Sequence, residues 1–209
     1  MDVHAPHEPV HTWKDFFIHL AIITIGLFIA LMLESFVEYI HHRHIVREAR
    51  ENIREEIERN HTKLQKDLGY LDDDTAHIKT NIATLHRLRA DPKDFKGDLT
   101  YTIRFNGMEN SAWTSARDMG ALIYMPLKEV QNTSDIYDTQ TMVTQRVDDL
   151  IQRETHIEAP ILAVEKSDDL TPAQIDDMLH QSAICLVDIT VLKQILQQLD
   201  TQYVDALKS

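Results

Sequence analysis

Cysteine is almost missing from this 209-residue chain: Cys185 stands alone, so no intrachain disulfide and no thiolate metal cluster can form. It lies in the apolar run Ala183-Ile184-Cys185-Leu186-Val187, the setting of a buried structural thiol rather than a reactive one. Glycine is scarce as well, with five in all, and neither Gly-x-Gly-x-x-Gly nor Gly-x-x-x-x-Gly-Lys occurs, which argues against a nucleotide enzyme. The nucleophile elbow Gly-x-Ser-x-Gly, a Cys/His pair and His-Glu-x-x-His are missing too. Positive charge is in deficit, 21 Lys and Arg against 34 Asp and Glu for a net −13, and no basic cluster offers itself to a phosphate backbone. These absences point to a non-enzymatic protein with no nucleic-acid partner.

What the chain does have is one long hydrophobic run. Phe16 to Leu33 reads FFIHLAIITIGLFIALML, with His19 as its one ionisable side chain. As a helix it covers roughly 27 Å at 1.5 Å per residue, close to the hydrocarbon thickness of a bilayer. Trp13 before it, and Phe36 and Tyr39 after it, stand where an aromatic belt lies. A signal peptide is disfavoured because no basic n-region precedes the run and helix formers continue past it. A buried core helix is disfavoured because no polar face interrupts the run. Residues 13–40 are therefore read as a single-pass transmembrane helix in the cell (inner) membrane, with the lipid bilayer as first partner. Lys14 precedes the span while Arg43, Arg47, Arg50 and Arg54 follow it, so the positive-inside rule leans the remaining domain to the cytoplasm. A signal-anchor ordinarily leaves its C-terminal part outside, and the side stays open.

The rest divides by periodicity. Residues 1–12, with His4, His7 and His11, read as a flexible tail, closed by a Thr12-Trp13-Lys14-Asp15 capping box. Residues 41–90 read as an amphipathic stalk helix: Ile57, Leu64, Leu71, Ile78 and Leu85 recur every seven residues, joined by Leu68 and Ile82, while the complementary line holds His61 and Thr75. Gly69 and Asp72-Asp73-Asp74 are expected to kink or break this rod, and the acidic residues of 48–58 and 72–74 to form a solvated face. Asp91-Pro92 ends it, and Leu99 to Phe105 alternates like a lone strand, hence an extended connector. Helices follow over Ser111–Tyr124, another from Pro126, a further one over Ile136–Ile157, and a last from the Thr171-Pro172 cap to about Leu207. The last carries the stripe Ile175, Met178, Leu179, Leu186, Ile189, Leu192, Leu196, Leu199 and Tyr203. The expected fold is all-α: the anchor continues into the stalk, which packs with residues 91–209 as an up-and-down helical bundle.

Chemistry-bearing residues gather at the end of the span. Glu34, Glu38 and His41 fall at i, i+4 and i+7 on one helix face, with His42 and His44 beside them. Glu38-x-x-His41 has the spacing of carboxylate-bridged metal bundles, whose ligands come from several helices, so a divalent metal here needs symmetry-related copies. The competing reading is a polar collar wetted by headgroups. His19 is an intramembrane ionisable residue, near enough to the boundary to reach headgroups. Gly26-x-x-x-Ala30 permits close helix approach.

The His-bearing tail, Trp13, Glu34, Glu38 and His41-His42-Arg43, followed by Ala112-Trp113, Gly120-Ala121-Leu122 and Ile136-Tyr137, resemble the stations of a group of uncharacterised bacterial membrane proteins. The resemblance implies a bacterial cell-membrane location and no established activity. Trp113 and Tyr137 are expected as core anchors rather than ligand contacts. The functional expectation is a non-enzymatic membrane-anchored module that self-associates, as a homo-oligomer, or joins a membrane-protein partner, with no cofactor. The alternative is a metal- or proton-responsive sensor or transport element built on the juxtamembrane Glu/His cluster.

Overall fold

The computed structural model describes residues 13–91, 99, 101–166 and 169–208; the expected flexible tail with His4, His7 and His11, the Thr12 cap and Pro92 lie outside them. The described residues are mostly helical with no strand among them. Helix α1 runs Trp13–Ala90, α2 Ser111–Asp118, α3 Leu127–Leu162 and α4 Pro172–Lys208, with a 3-10 turn over Ala121–Tyr124. The chain forms two compact units, Met1–Glu48 and Ala49–Ser209.

In the first unit, α1 exposes every large apolar side chain from Phe16 to Ile40. By length and composition α1 and α4 are both able to cross a membrane. They differ in what their apolar residues meet, because those of α4 line the core of the second unit.

The second unit is built on α1 from Ala49 onward, α3 and α4. Ile57, Leu64, Leu71, Ile78 and Leu85 are all buried, as their seven-residue spacing requires, and Leu68 and Ile82 are half-buried at its margin. On α4 the buried line is Ile175, Met178, Ser182, Cys185, Ile189, Leu192, Leu196, Leu199 and Tyr203, with Leu179 and Leu186 half-buried beside it. Each fully buried leucine contributes about 1.5–3 kcal/mol over its exposed state. Cross-helix pairs give the directions. Arg50 reaches Glu129 through two bonds of 2.6 and 2.7 Å, and Tyr137 reaches Glu56, so α3 rises parallel to α1. Arg89 pairs with Asp176, Lys193 with Asp72, His61 with Asp200 and Arg54 with the Leu207 carbonyl, so α4 returns antiparallel.

Between α1 and α3 the chain comes back down without a helix. Residues 101–110 carry no helix, matching the connector expected from the Leu99 to Phe105 alternation; Gly107 lies in the left-handed region at φ 69°, and the segment runs antiparallel to α1. Arg104 lies at Asp74, Asn106 at Asp67, Glu109 at Asn60 and Ala112 at Glu56. The architecture is thus an up-and-down bundle in which one descending element is an extended strap.

Three expectations are corrected. First, α1 passes Gly69 and Asp72-Asp73-Asp74 as continuous helix; the strap and α4 hold both sides of that stretch through Asp74 and Asp72. Second, the acidic residues are not all a solvated face, because Glu56 is 0% exposed, Asp67 0% and Asp74 2%. Third, the complementary heptad line is not the one through His61 and Thr75, which are half-buried, but Ile53, Asn60, Asp67, Asp74, Asn81 and Leu88, all buried. The helical expectation for residues 111–124 holds with a break: α2 stops at Asp118, and Gly120 turns the chain at φ 75° into the 3-10 turn. Helix α4 opens on the expected Thr171 cap, whose Oγ1 accepts from the Gln174 backbone N–H at 3.3 Å while Gln174 Oε1 accepts from the Thr171 N–H at 2.8 Å.

Candidate functional site

An extended segment away from any sheet has backbone N–H groups that need acceptors, and burying them unpaired costs about 1–3 kcal/mol each. Here helix side chains supply the acceptors. Glu154 Oε2 accepts from the Ile103 N–H at 3.2 Å, Asp74 Oδ2 from Arg104 at 3.2 Å, Asp67 Oδ1 from Asn106 at 3.0 Å, and Asn60 Oδ1 from Glu109 at 2.8 Å. Asn60 Nδ2 donates in return to the Glu109 carbonyl at 2.7 Å, so this side chain engages the strap as a neighbouring strand would. Polar residues occupy the middle of the second heptad line because that line faces a strap rather than another helix.

The strap's own side chains close the arrangement. The Arg104 guanidinium lies 4.7 Å from the Tyr70 ring centroid and bonds both Asp73 and Asp74. Glu109 takes bonds from Arg59 at 3.0 Å and Lys63 at 2.8 Å, which hold its carboxyl below the usual carboxylate range. Tyr101 donates to Ser182 Oγ at 3.0 Å, since the Ser182 proton is committed to the Met178 carbonyl at 2.7 Å. Burial pushes the Tyr101 hydroxyl upward, so it stays a neutral donor.

At the foot of the strap, Glu56 caps α2 from outside. Its Oε2 accepts from the Ala112 N–H at 2.8 Å and from Ser111 Oγ at 2.9 Å, and its Oε1 from the Tyr137 hydroxyl at 2.7 Å. Asn110, the residue at the cap position, makes no side-chain cap bond. A carboxylate at a helix N-terminus is favoured by the orphan N–H groups and the helix dipole. Burial and the Glu56 acceptor both raise the Tyr137 hydroxyl above its ordinary value. Trp113 stacks on Tyr137 with centroids 5.4 Å apart and planes at 7°. Tyr137 is thus the core anchor its sequence position suggested, while Trp113 is half-buried against it. Farther along, Tyr203 accepts from Gln140 Nε2 at 2.8 Å, and His61 meets Asp200 at 2.9 Å. Cys185 is buried and its thiol is pushed up to about 12, chiefly by burial, as an inert structural cysteine.

A groove of about 940 Å³ opens at the end of the bundle where Ala49 enters, with Ile53, Ile57 and Ile136 among its walls and Arg50, Arg54 and Lys128 on it. Glu56, Ser111, Trp113 and Tyr137 do not line it. The buried polar groups bond to one another and to the strap, which is the pattern of a structural clasp.

The candidate metal, intramembrane and helix-association residues read from sequence, Glu34, Glu38, His41, His42, His44, His19, Gly26 and Ala30, are all in the first unit. His19 Nδ1 donates to the Asp15 carbonyl at 2.7 Å. His44 Nδ1 sits 3.2 Å from Arg47 Nη2, and the His41 and His42 rings are 6.2 Å apart. Glu34, Glu38 and His41 keep their spacing along the helix, but among the described residues no three His, Cys, Asp or Glu converge on a metal position within one chain. Nothing lies within 4 Å of a Cβ built at Gly26, so the Gly26 and Ala30 edge is open. Of the arginines that follow the apolar run, Arg50 and Arg54 are bonded into the bundle. The clasp residues Glu56, Asn60, Asp67 and Asp74 were not expected from the sequence. For three of them, Asn60, Asp67 and Asp74, a signal exists: a seven-residue recurrence parallel to the apolar one. Against family models, curated proteins and solved structures, the chain finds no match.

Proposed function

We propose that this chain is a non-enzymatic, membrane-anchored helical module that self-associates or serves as an accessory within a larger membrane assembly, its anchor crossing the cell membrane once. The observation that carries the reading is the run from Phe16 to Ile40, whose large apolar side chains are all exposed. Such a surface exceeds what water tolerates and calls for lipid or a partner helix. The inward-turned clasp supports the non-enzymatic part. Two experiments test it: retention in membranes after an alkaline carbonate wash, and mass in mild detergent with and without cross-linking. Retention with a cross-linked dimer or a captured membrane partner is expected. Release by carbonate overturns the anchor, and a clean monomer that captures nothing in native membranes overturns the association.

A second reading, a metal- or proton-responsive element, rests on Glu34, Glu38 and His41 sharing one exposed helix face, which a symmetric mate would complete. Zinc binding measured on the full chain and on a His41→Ala, His42→Ala, His44→Ala variant decides it. Equal binding by both would leave these residues as a polar collar.

A further inference from the structure

The corner between α2 and α3 carries four large apolar side chains with much of their surface exposed. Met119 is 62% exposed, Ile123 80%, Tyr124 48% and Leu127 71%. They are displayed by tight local geometry: Gly120 in the left-handed region, then the 3-10 turn bonded Ile123 N–H to the Gly120 carbonyl and Met125 N–H to the Leu122 carbonyl, each at 3.3 Å. Ala121 and Met125 turn inward and are buried, which fixes the other four outward.

This corner stands at the end of the bundle where α1 enters it. Leu127 is two residues before Glu129, whose carboxylate is clamped by Arg50. Arg50 follows Ile40, the last exposed residue of the apolar run, by ten positions, and ten residues of chain span at most about 35 Å even fully extended. The corner is therefore leashed to whatever holds the apolar run. Local charge fits the same neighbour. Asp118 is paired with Arg117 at 3.2 Å and Glu129 with Arg50, while Lys128 is exposed between Leu127 and Glu129 and has no ion-pair partner among the described residues. An aliphatic knuckle with one aromatic and an adjacent lysine is the composition that settles at the boundary of headgroups and acyl chains.

We infer that Met119, Ile123, Tyr124 and Leu127 form a second membrane contact, dipping into the bilayer interface on the bundle's side. The inference rests on the anchor proposed above.

The test uses the full chain in liposomes of neutral and anionic phospholipid, with an environment-sensitive fluorophore on Ile123→Cys. Cys185 is 1% exposed, so the introduced thiol is labelled selectively. Phe28→Cys serves as the in-bilayer control, and Leu162→Cys, about 50 Å away along α3, as the distal one. Nitroxide-bearing lipids should quench the label at 123 strongly and that at 162 hardly at all, with a blue-shifted emission at 123. Quenching at 28 without quenching at 123 overturns the second contact and leaves the anchor standing. A blue-shifted but unquenched label at 123 that turns red on dilution into excess lipid assigns the corner to a second copy, and also overturns it. Failure of quenching at 28 removes the anchor, and this inference falls with it.

Discussion

Gly69 sits mid-helix in α1 with nothing within 4 Å of where a Cβ would stand. Glycine there keeps unfolded-state freedom without using it, so Gly69→Ala should stabilise the chain by about 0.5–1 kcal/mol, read as a rise of about 1–4 °C in Tm. Gly120 is the opposite case: its φ of 75° favours glycine, and the nearest atom to a Cβ placed there is Ile123 Cδ1 at 3.9 Å, an ordinary contact. Gly120→Ala should therefore cost about 1–2 kcal/mol through backbone strain alone, and an unchanged Tm would contradict it. Asp67 adds a pH dependence. Burial raises its carboxyl above the usual range, the Asn106 backbone and side-chain donors pulling the other way, and its Oδ2 is buried with no partner among the described residues. A raised folded pKa means the native chain holds the proton more tightly than the unfolded chain. Its contribution is then fully present below the unfolded value, near 4, and is lost as pH rises through the folded one. Asp67→Asn keeps an acceptor for Asn106 and carries no charge, so its Tm should exceed that of the native chain near about pH 8 and converge with it below about pH 4. A gap that is the same at both ends would show that Asp67 titrates normally.

The clasp belongs to the scale of elements. Removing the Glu56 carboxylate strands three donors at once, those of Ala112, Ser111 and Tyr137, so Glu56→Ala should cost about 3 kcal/mol or more, whereas Tyr137→Phe, which removes one donor, should cost about 1–2 kcal/mol. Hydrogen exchange locates the effect: amides 103–112 should exchange faster in Glu56→Ala while α4 amides near Leu192 stay protected. Uniform acceleration would mean that strap and bundle open together. The elements show why part of the fold is legible in the sequence and part is not. The Ile57 to Leu85 line announces a buried face because hydrophobic period is visible in the letters themselves. Thr171-Pro172 and Pro126 likewise mark helix starts through local chemistry. Asn60, Asp67 and Asp74 have the character of solvent-facing residues because their partner is a backbone, and a backbone has no composition to read. The Glu/His cluster is easy to single out and, within one chain, stays uncombined.

For the molecule as a whole, the proposed anchor would give the two units different solvents. A helix in hydrocarbon keeps its backbone bonds because no water competes for them, whereas the Ala49–Ser209 unit depends on its own core and clasp. Heated in liposomes, the full chain should lose its Trp113 and Tyr137 stacking signal in one transition and retain a plateau of far-ultraviolet ellipticity from the anchor. Complete loss of ellipticity in the same step would mean that lipid does not hold residues 13–40. The strap has a consequence of another kind. Much of its course is written in the helices that receive it, since Asn60, Asp67, Asp74 and Glu154 accept from its backbone N–H groups, which every residue but proline presents, while Arg104, Asn106 and Glu109 add side-chain bonds of their own. Across related chains, then, the residues of 103–109 other than Arg104, Asn106, Gly107 and Glu109 should drift freely as long as their number is kept, while positions 56, 60, 67 and 74 should stand still: heredity would guard the lock and let much of the key be recut.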